Sequence, residues 1–270
     1  MFSLENKVAI VTGGANGIGA SIVREFLAAN VKHVSILDID ESSGSKFEED
    51  LSLIYSADKA KFYKCDVTKD EEISAIFHEV IEKFGVIDVV VNNAGLATEN
   101  LTTYKREIDV NYAAVVSSTF KALELMRADR GGKGGTIINV SSICALAQYS
   151  PFVFVYASSK SAVLHFSNCI GMQNYFRHTK VRVIAICFGI TNTDMFEKCI
   201  SYDDTVNQNL NNIREYTISH NLMQTSEVAA QGVVKGYEEG KSGSTWLVKS
   251  NKICDITSNI SKAYEIMSKI

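Results

Sequence analysis

Thr12-Gly13-Gly14-Ala15-Asn16-Gly17-Ile18-Gly19 lies between a strand-like apolar run, Lys7 to Val11, and a helix-like run, Ala20 to Ala29. A glycine-rich turn that joins a strand to a helix is suited to hold a pyrophosphate. Gly13 allows the tight turn, Gly17 presents bare backbone that a phosphate can approach, and Gly19 lets the helix pack closely on the strand. The free N–H groups and positive dipole end of that helix, beginning at Asn16, Gly17 and Ile18, face the anion. The spacing T-G-x3-G-x-G differs by one residue from the G-x-G-x-x-G of many dinucleotide folds. A plain strand-to-helix turn could use the same glycines, so the rest of the chain has to decide.

Outward from this turn, short apolar runs alternate with longer segments of helical period. Val8–Val11, Val34–Leu37, Lys61–Cys65, Ile87–Val91, Thr136–Val140, Val181–Cys187 and Ser244–Val248 read as strands. Several are apolar on consecutive residues, as strands buried on both faces of a parallel sheet are. Gly17–Ala29, Ser42–Ser56, Asp70–Phe84, Leu101–Asp129, Val155–His178 and Ser226–Glu239 read as helices. The alternation predicts an α/β fold: a Rossmann-type, doubly wound parallel sheet of about seven strands with helices on both faces, in one domain spanning the chain. Gly131–Gly135 reads as a flexible connector. Two stretches break the pattern: Asp194–Thr225, polar and irregular, and a tail, Asn251–Ile270, in which Ile256, Ile260, Tyr264, Met267 and Ile270 recur at roughly helical spacing.

Bulk properties exclude several roles. The chain has 270 residues, 46% of them hydrophobic, and a formal net charge of −4. It has no long basic run, which argues against nucleic acid or an anionic membrane as main partner. Nothing approaches the ~20 apolar residues of a membrane span, and Met1–Asn6 lacks the features of a signal peptide. The six scattered cysteines have no C-x2-C pair and read as reduced thiols. A cytoplasmic location follows as an expectation, and three glycosylation sequons are set aside with it. The five histidines show no ligand spacing, so no metal is expected.

Asp38 follows the second strand, 19 residues after Gly19. A carboxylate there accepts from both ribose hydroxyls of an adenosine and repels a 2′-phosphate. Its neighbours Ile39 and Asp40 offer that phosphate no cation, so NAD is favoured over NADP. A plain turn residue is the alternative. Cys65-Asp66-Val67 closes the third strand: Asp66 either bonds the adenine amino edge while Val67 packs on the ring, or simply begins the next helix. Tyr156 and Lys160 stand four apart, on one helix face, downstream of Ser141-Ser142 at the carboxyl end of the fifth strand. Spacing alone means little, since Tyr55/Lys59 and Tyr237/Lys241 repeat it on segments that read as solvated faces.

Taken together these motifs resemble the short-chain dehydrogenase/reductase family, from the first strand to about Thr193. Thr12–Gly19 resembles its cofactor loop. Asn92-Asn93-Ala94-Gly95 resembles the motif that ends the fourth strand and braces the adenine-side sheet. Asn111 in Asp109-Val110-Asn111, with Ser142, Tyr156 and Lys160, resembles the catalytic tetrad. Within the family the resemblance is nearest to 15-hydroxyprostaglandin dehydrogenases and insect-type alcohol dehydrogenases, through Gly131–Ser142, Thr193–Phe196 and Ser244–Leu247.

The resemblance implies alcohol oxidation or carbonyl reduction with NAD. Tyr156 would be the general acid/base, its pKa lowered by Lys160 and the nicotinamide charge, and Ser142 would steady the substrate oxygen. Lys160 would also bind the ribose, and Asn111 would hold a water that relays the proton. Asn93, Ala94, Gly95 and Val110 would flank the cofactor, and Gly189, Ile190, Thr191 and Thr193 would meet the nicotinamide carboxamide. Three of the four tetrad residues have a structural alternative: Ser142 a strand-end cap, Asn111 a polar residue bonded to backbone, Tyr156 a half-buried aromatic. Ser141 is a second candidate for the catalytic serine.

Two departures from the family pattern stand out. Phe188 replaces the usual proline before Gly189, which either softens the loop or shapes the pocket. The interval from Ser142 to Tyr156 is 14 residues, about one longer than in close relatives, and holds Pro151, the chain's single proline. Ile143, Ala145, Leu146, Phe152, Phe154, Met195, Phe196 and Met223 are candidates for an apolar substrate pocket, or else ordinary core and dimer contacts. They suit a hydrophobic, lipid-like alcohol. The family implies a homodimer or homotetramer built on Leu101–Asp129 and Val155–His178. The tail would cover a partner, cover its own pocket, or pack on its own domain. The competing functional class is an NAD-binding protein with little turnover, acting in storage, regulation or interaction.

Overall fold

The structure, a computed structural model, describes residues 1–147 and 153–269. Its centre is one eight-stranded sheet in the order β3-β2-β1-β4-β5-β6-β7-β8. The strands are β1 Val8–Thr12, β2 His33–Asp38, β3 Ala60–Lys64, β4 Val89–Asn92, β5 Gly135–Ser142, β6 Val181–Phe188, β7 Thr245–Lys249 and β8 Lys252–Asp255. Seven are parallel and β8 runs antiparallel to β7. The eighth strand is an addition to the seven expected: Ser250 and Asn251 take positive φ of 50° and 62° and turn the chain back as a hairpin.

Burial on both faces explains the consecutive apolar runs. No alternation of polar and apolar residues is needed in β1, where every residue is buried. On β6, Ile184, Ile186 and Phe188 face one core, shared with α1 (Gly17–Ala28), α2 (Glu41–Ser52) and α10 (Ser226–Glu239). Val181 and Val183 face a second core under α3 (Asp70–Phe84) and α5 (Ala114–Met126). Ala185 and Cys187 meet Leu164 of α6 (Phe154–Ile170). Helix α3 shows why such boundaries are legible. Three acidic residues fill its first turn, Lys83 its last, and Gly85 at φ 74° closes it in the left-handed conformation.

Four readings need correction. The long helix expected over Leu101–Asp129 is broken into α4 (Tyr104–Ile108), a π turn over Asp109–Ala113, α5, and a 3-10 turn over Ala128–Arg130. Val155–His178 is split into α6 and α7 (Gln173–Thr179). The supposedly irregular Asp194–Thr225 holds α8 (Asp194–Lys198) and α9 (Asp204–Ser219), the latter begun by Asp203 accepting from the Val206 amide and burying Val206, Leu210 and Thr217 on one face. Gly131–Gly135 is a tight turn: a Cβ on Gly132 would lie 2.3 Å from the Met126 carbonyl oxygen.

The tail forms β8 and α11 (Thr257–Ser268). Ile260 joins the small core around Leu164, and the Tyr264 hydroxyl meets His165 Nδ1 of α6 at 3.1 Å, so within this chain the tail packs on its own fold. Ile270 lies outside the described residues. No helix among the described residues is long and apolar enough to cross a membrane.

Candidate active site

The site lies at the carboxyl ends of β1, β4, β5 and β6, where the strand order reverses between β1 and β4 and opens a crevice. The glycine turn occupies that end of β1. Gly13 (φ 60°) and Gly17 (φ 53°) both need the left-handed region. A Cβ on Gly19 would sit 1.9 Å from the Gly13 carbonyl oxygen, so helix α1 can seat against the turn only with glycine there. A Cβ on Gly17, by contrast, would meet only Thr193 among the described residues, at 3.4 Å, leaving bare backbone facing open space. Asn16 precedes α1 without capping it through its side chain. The first amides of α1 therefore point, uncapped by that residue, to where an anion fits.

Asn93 fastens this turn to β4. Its Nδ2 donates to the carbonyls of Thr12 and Gly13, both at 3.1 Å, while the Thr12 hydroxyl accepts the amides of Asn93 and Ala94. Asn92 is buried and locks β4 to β5 through Asn139, with Thr119 and Ser118 around it. The motif thus braces the turn itself as well as the sheet.

Asp38 ends β2, and its two oxygens accept the amides of Ala15 (3.0 Å) and Asp40 (3.1 Å). Asp40 caps α2 through Ser43, whose hydroxyl and amide hold its carboxyl below the usual range. The rim at the end of β2 is thus doubly anionic, with Ile39 exposed beside it. Asp66 is otherwise engaged. Arg106 Nη2 reaches both its oxygens at 2.9 Å, and the amide and hydroxyl of Thr68 add two more bonds. Lys69, not Asp66, immediately precedes α3, so Asp66 does not itself begin that helix. Cys65 and Val67 are buried in the core beside it.

Ser142, Tyr156, Lys160 and Asn111 converge although three separate stretches of chain supply them. Lys160 is buried, and its Nζ donates to the Val140 carbonyl at 3.1 Å. The same Nζ lies 5.7 Å from the Tyr156 ring centroid. The space a Cβ on Gly95 would occupy is 3.3 Å from Asn111 Oδ1, 3.5 Å from Lys160 Nζ and 3.7 Å from Met195 Cε, so Gly95 marks the point where these groups meet. Ser142 Oγ accepts the Cys144 amide at 3.2 Å and faces Tyr156. The Ser141 hydroxyl donates to the Lys160 carbonyl at 2.8 Å, pinning α6 to β5.

Two electrostatic expectations change. Burial is the largest influence on both members of the pair: it pushes the Tyr156 phenol above its ordinary range and the Lys160 ammonium down to about 8. A hydrogen bond with Ser142 opposes the first shift, and Cys187, Glu107 and Cys144 oppose the second. Without cofactor, then, Lys160 does not pull Tyr156 into the neutral range. The Asn111 side chain is already committed. Its Oδ1 accepts the Leu96 amide (2.7 Å) and its Nδ2 donates to the Leu96 carbonyl (2.8 Å) and Ser159 Oγ (3.3 Å). It does what a buried polar residue bonded to backbone does, and it sits in the π turn, where backbone hydrogen bonds span one residue more than in an α-helix.

The apolar pocket candidates separate. Met195 and Phe154 are partly exposed near the cluster, and Phe196 packs under Arg214. Ile143 opens a 3-10 turn after β5. Ala145 and Leu146 pack on the Leu164 core instead, and Phe152 and Pro151 lie outside the described residues. Phe188 is 5% exposed and buried in the α1/α10 core, paired with Ser142 and Val248, so it lengthens β6 by a residue rather than shaping a pocket. Gly189, Ile190, Thr191 and Thr193 follow it, with Thr191 and Ile190 tied to Gln224. Val110 is buried under α5. The repeat pair Tyr55/Lys59 is off the site, and Tyr237 proves to be buried, its hydroxyl on the Ser3 carbonyl.

Two buried carboxylates carry no mark in the sequence: Glu99, in the loop between β4 and α4, and Glu107, four residues before Asn111. Nothing in their spacing singles them out, since each finds its partners across a loop.

A family model described as short chain dehydrogenase matches residues 7–203. Human 15-hydroxyprostaglandin dehydrogenase (NAD(+)) is 32% identical over 194 residues, which cover 72% of this chain and 71% of that protein. Alcohol dehydrogenase 2 of Ceratitis cosyra is 26% identical over 265 residues, covering 95% and 96%. A solved structure of 3-ketoacyl-(acyl-carrier-protein) reductase from Brucella melitensis complexed with NADH has a TM-score of 0.76 at 22% identity, over 92% of this chain and 98% of that one; it shares the fold.

Proposed function

The chain belongs to the short chain dehydrogenase family, and we propose that it interconverts a hydrophobic secondary or lipid-like alcohol and its carbonyl with NAD. The observation that carries this reading is the convergence of Ser142, Tyr156 and buried Lys160 beside Gly95, at the mouth of a turn whose glycines leave room for a pyrophosphate. Gly13, Gly17 and Gly19 with the α1 amides would hold the pyrophosphate. Asp38 would take the adenosine ribose, and Asp38 and Asp40 together disfavour a 2′-phosphate. Ile190, Thr191 and Thr193 would flank the carboxamide.

The bound cofactor supplies the hydride acceptor and a positive ring. Tyr156 removes the alcohol proton as the carbinol carbon gives up hydride, and returns a proton in the reverse direction. Burial favours the protonated phenol, and the positive nicotinamide ring would favour its ionised form. Ser142 donates to the substrate oxygen and offsets the charge developing there. Lys160 spends one donor on Val140 and keeps two for a ribose and for a relay. Asn111, locked to the Leu96 backbone, would hold the water that relays the proton towards Lys160. Phe120, half exposed and edge-on to Phe166, supports a homodimer across α5 and α6.

NADH formation at 340 nm with primary, secondary and lipid-like alcohols, run beside NADP, tests the reading. Turnover with NAD is expected, and Tyr156→Phe should lower kcat by ~10²–10⁴ while NAD binding survives. NAD binding without turnover on any alcohol would instead favour a non-catalytic, NAD-binding role.

A further inference from the structure

Glu99 is 2% exposed and stands in the loop between β4 and α4. Its carboxylate carries four donors. Oε1 accepts the Phe154 amide at 2.6 Å and the Ser201 hydroxyl at 3.3 Å. Oε2 accepts the amides of Val155 at 2.7 Å and Tyr156 at 3.0 Å. Phe154, Val155 and Tyr156 are the first three residues of α6, whose own N-cap residue, Val153, makes no side-chain cap. A helix leaves its first amides unpaired, and here a carboxylate more than fifty residues away in sequence satisfies three of them.

The fourth donor comes from the other side of the site. Ser201 follows α8, in the stretch that carries the pocket candidates Met195 and Phe196. That stretch is docked on the Glu99 loop: Thr98 and Ile200 form a β-bridge, and the Ile200 amide donates to Ala97 at 3.2 Å. Asn207 of α9 clasps the Ser201 backbone in both directions, at 2.6 and 3.1 Å. One buried carboxylate therefore holds the first turn of the helix bearing Tyr156 and the segment bordering the substrate.

We propose that Glu99 is a positioning residue for Tyr156, and that it couples the placement of the phenol to docking of the 194–203 segment. It touches no reacting atom. Its charge is used up by three amides and a hydroxyl, and its effect reaches the chemistry through the backbone of Tyr156. A displacement of ~1 Å at a reacting group lowers rates by ~10²-fold. Loosening the first turn of α6 should therefore act mainly on kcat. The proposal rests on the assignment of Tyr156 as the acid/base group, so the test needs a readout free of turnover.

Amide hydrogen exchange on the full chain supplies it. In wild type, the amides of residues 154–156 should exchange at least tenfold slower than the uncapped first-turn amides of α1, residues 17–19. Glu99→Gln keeps the volume but removes the charge and one acceptor. It should speed exchange at 154–156 at least tenfold, lower kcat ~30- to 100-fold, and change NAD affinity less than threefold. Ser201→Ala should speed exchange at 199–203 and act more on KM than on kcat. Equal exchange at 154–156 and 17–19 in wild type overturns the proposal even if Glu99→Gln does not fold. So does a Glu99→Gln enzyme with kcat within twofold of wild type. Absence of wild-type turnover with α6 protected as expected would instead count against the catalytic reading.

Discussion

Replacing Glu107 by glutamine should stabilise the protein at neutral pH and not at acid pH. Glu107 is fully buried; one oxygen accepts the Thr98 amide at 3.0 Å, and the other has no partner among the described residues. Burial pushes its carboxyl up to about 7 from the usual 4.5, with the Glu99 charge adding to the rise and Thr98 and Lys160 opposing it. Between these two values the folded state binds the proton more readily than the unfolded chain. Stability attributable to Glu107 is therefore complete below pH 4.5 and is lost as pH rises through 7.

At ~1.4 kcal/mol per pH unit, the gap corresponds to ~3 kcal/mol. Glutamine removes that pH-dependent loss and can still accept from Thr98, but it turns the orphan oxygen into an orphan amide at a cost of ~1 kcal/mol. Glu107→Gln should thus be ~1 kcal/mol less stable than wild type at about pH 4 and ~2 kcal/mol more stable at about pH 7.5. Urea unfolding at both pH values, followed by fluorescence of the single, buried Trp246, measures the difference. A difference between the two proteins that stays constant within ~0.5 kcal/mol from about pH 4 to about pH 7.5 would show that Glu107 does not titrate as its surroundings require.

Further outcomes follow from the same geometry. His33 is buried with Nδ1 on the Asp58 carbonyl, 2.6 Å away, its ring stacked on Phe84, and burial lowers its pKa. The unfolded chain takes up that proton first, so stability should fall as pH drops below ~6.5, and His33→Phe should flatten this limb in urea titrations. Gly19→Ala should lose ~2 kcal/mol or more of stability and nearly all NAD affinity, because the new Cβ would overlap the Gly13 carbonyl; NAD binding equal to wild type by calorimetry would contradict the packing described. Asp38→Ser should raise the NADP-to-NAD ratio of kcat/KM by ~10-fold or more, since it removes one of two carboxylates at the ribose rim; an unchanged ratio would leave Asp38 with only its backbone bonds.

Much of the architecture can be read from local pattern. Seven strands and the helices α1, α3 and α10 are legible because apolar period, caps and terminal glycines are encoded within a few residues of one another. The glycine turn and the Tyr156–Lys160 spacing are legible for the same reason. Helix α9 is not, although Val206, Leu210 and Thr217 carry its buried face, because its many asparagines mask the amphipathic pattern. The break in the helix around Asn111 is not visible in the sequence, and neither is its pairing with the Leu96 backbone, 15 residues earlier in the chain.

The chain by itself determined seven strands, the helices α1, α3 and α10, the glycine turn and the residues of the candidate acid/base pair. Tertiary structure alone decided what the buried polar groups do. Glu99 caps a helix 55 residues away, Asp66 is taken by Arg106, Ser141 is spent on Lys160, and Phe188 turns into the core. The physical reason is that leaving a polar group unpaired out of water costs free energy, as at Glu107, so most such groups take a partner, and which partner is in reach is settled by the loops the sheet brings together at its carboxyl edge.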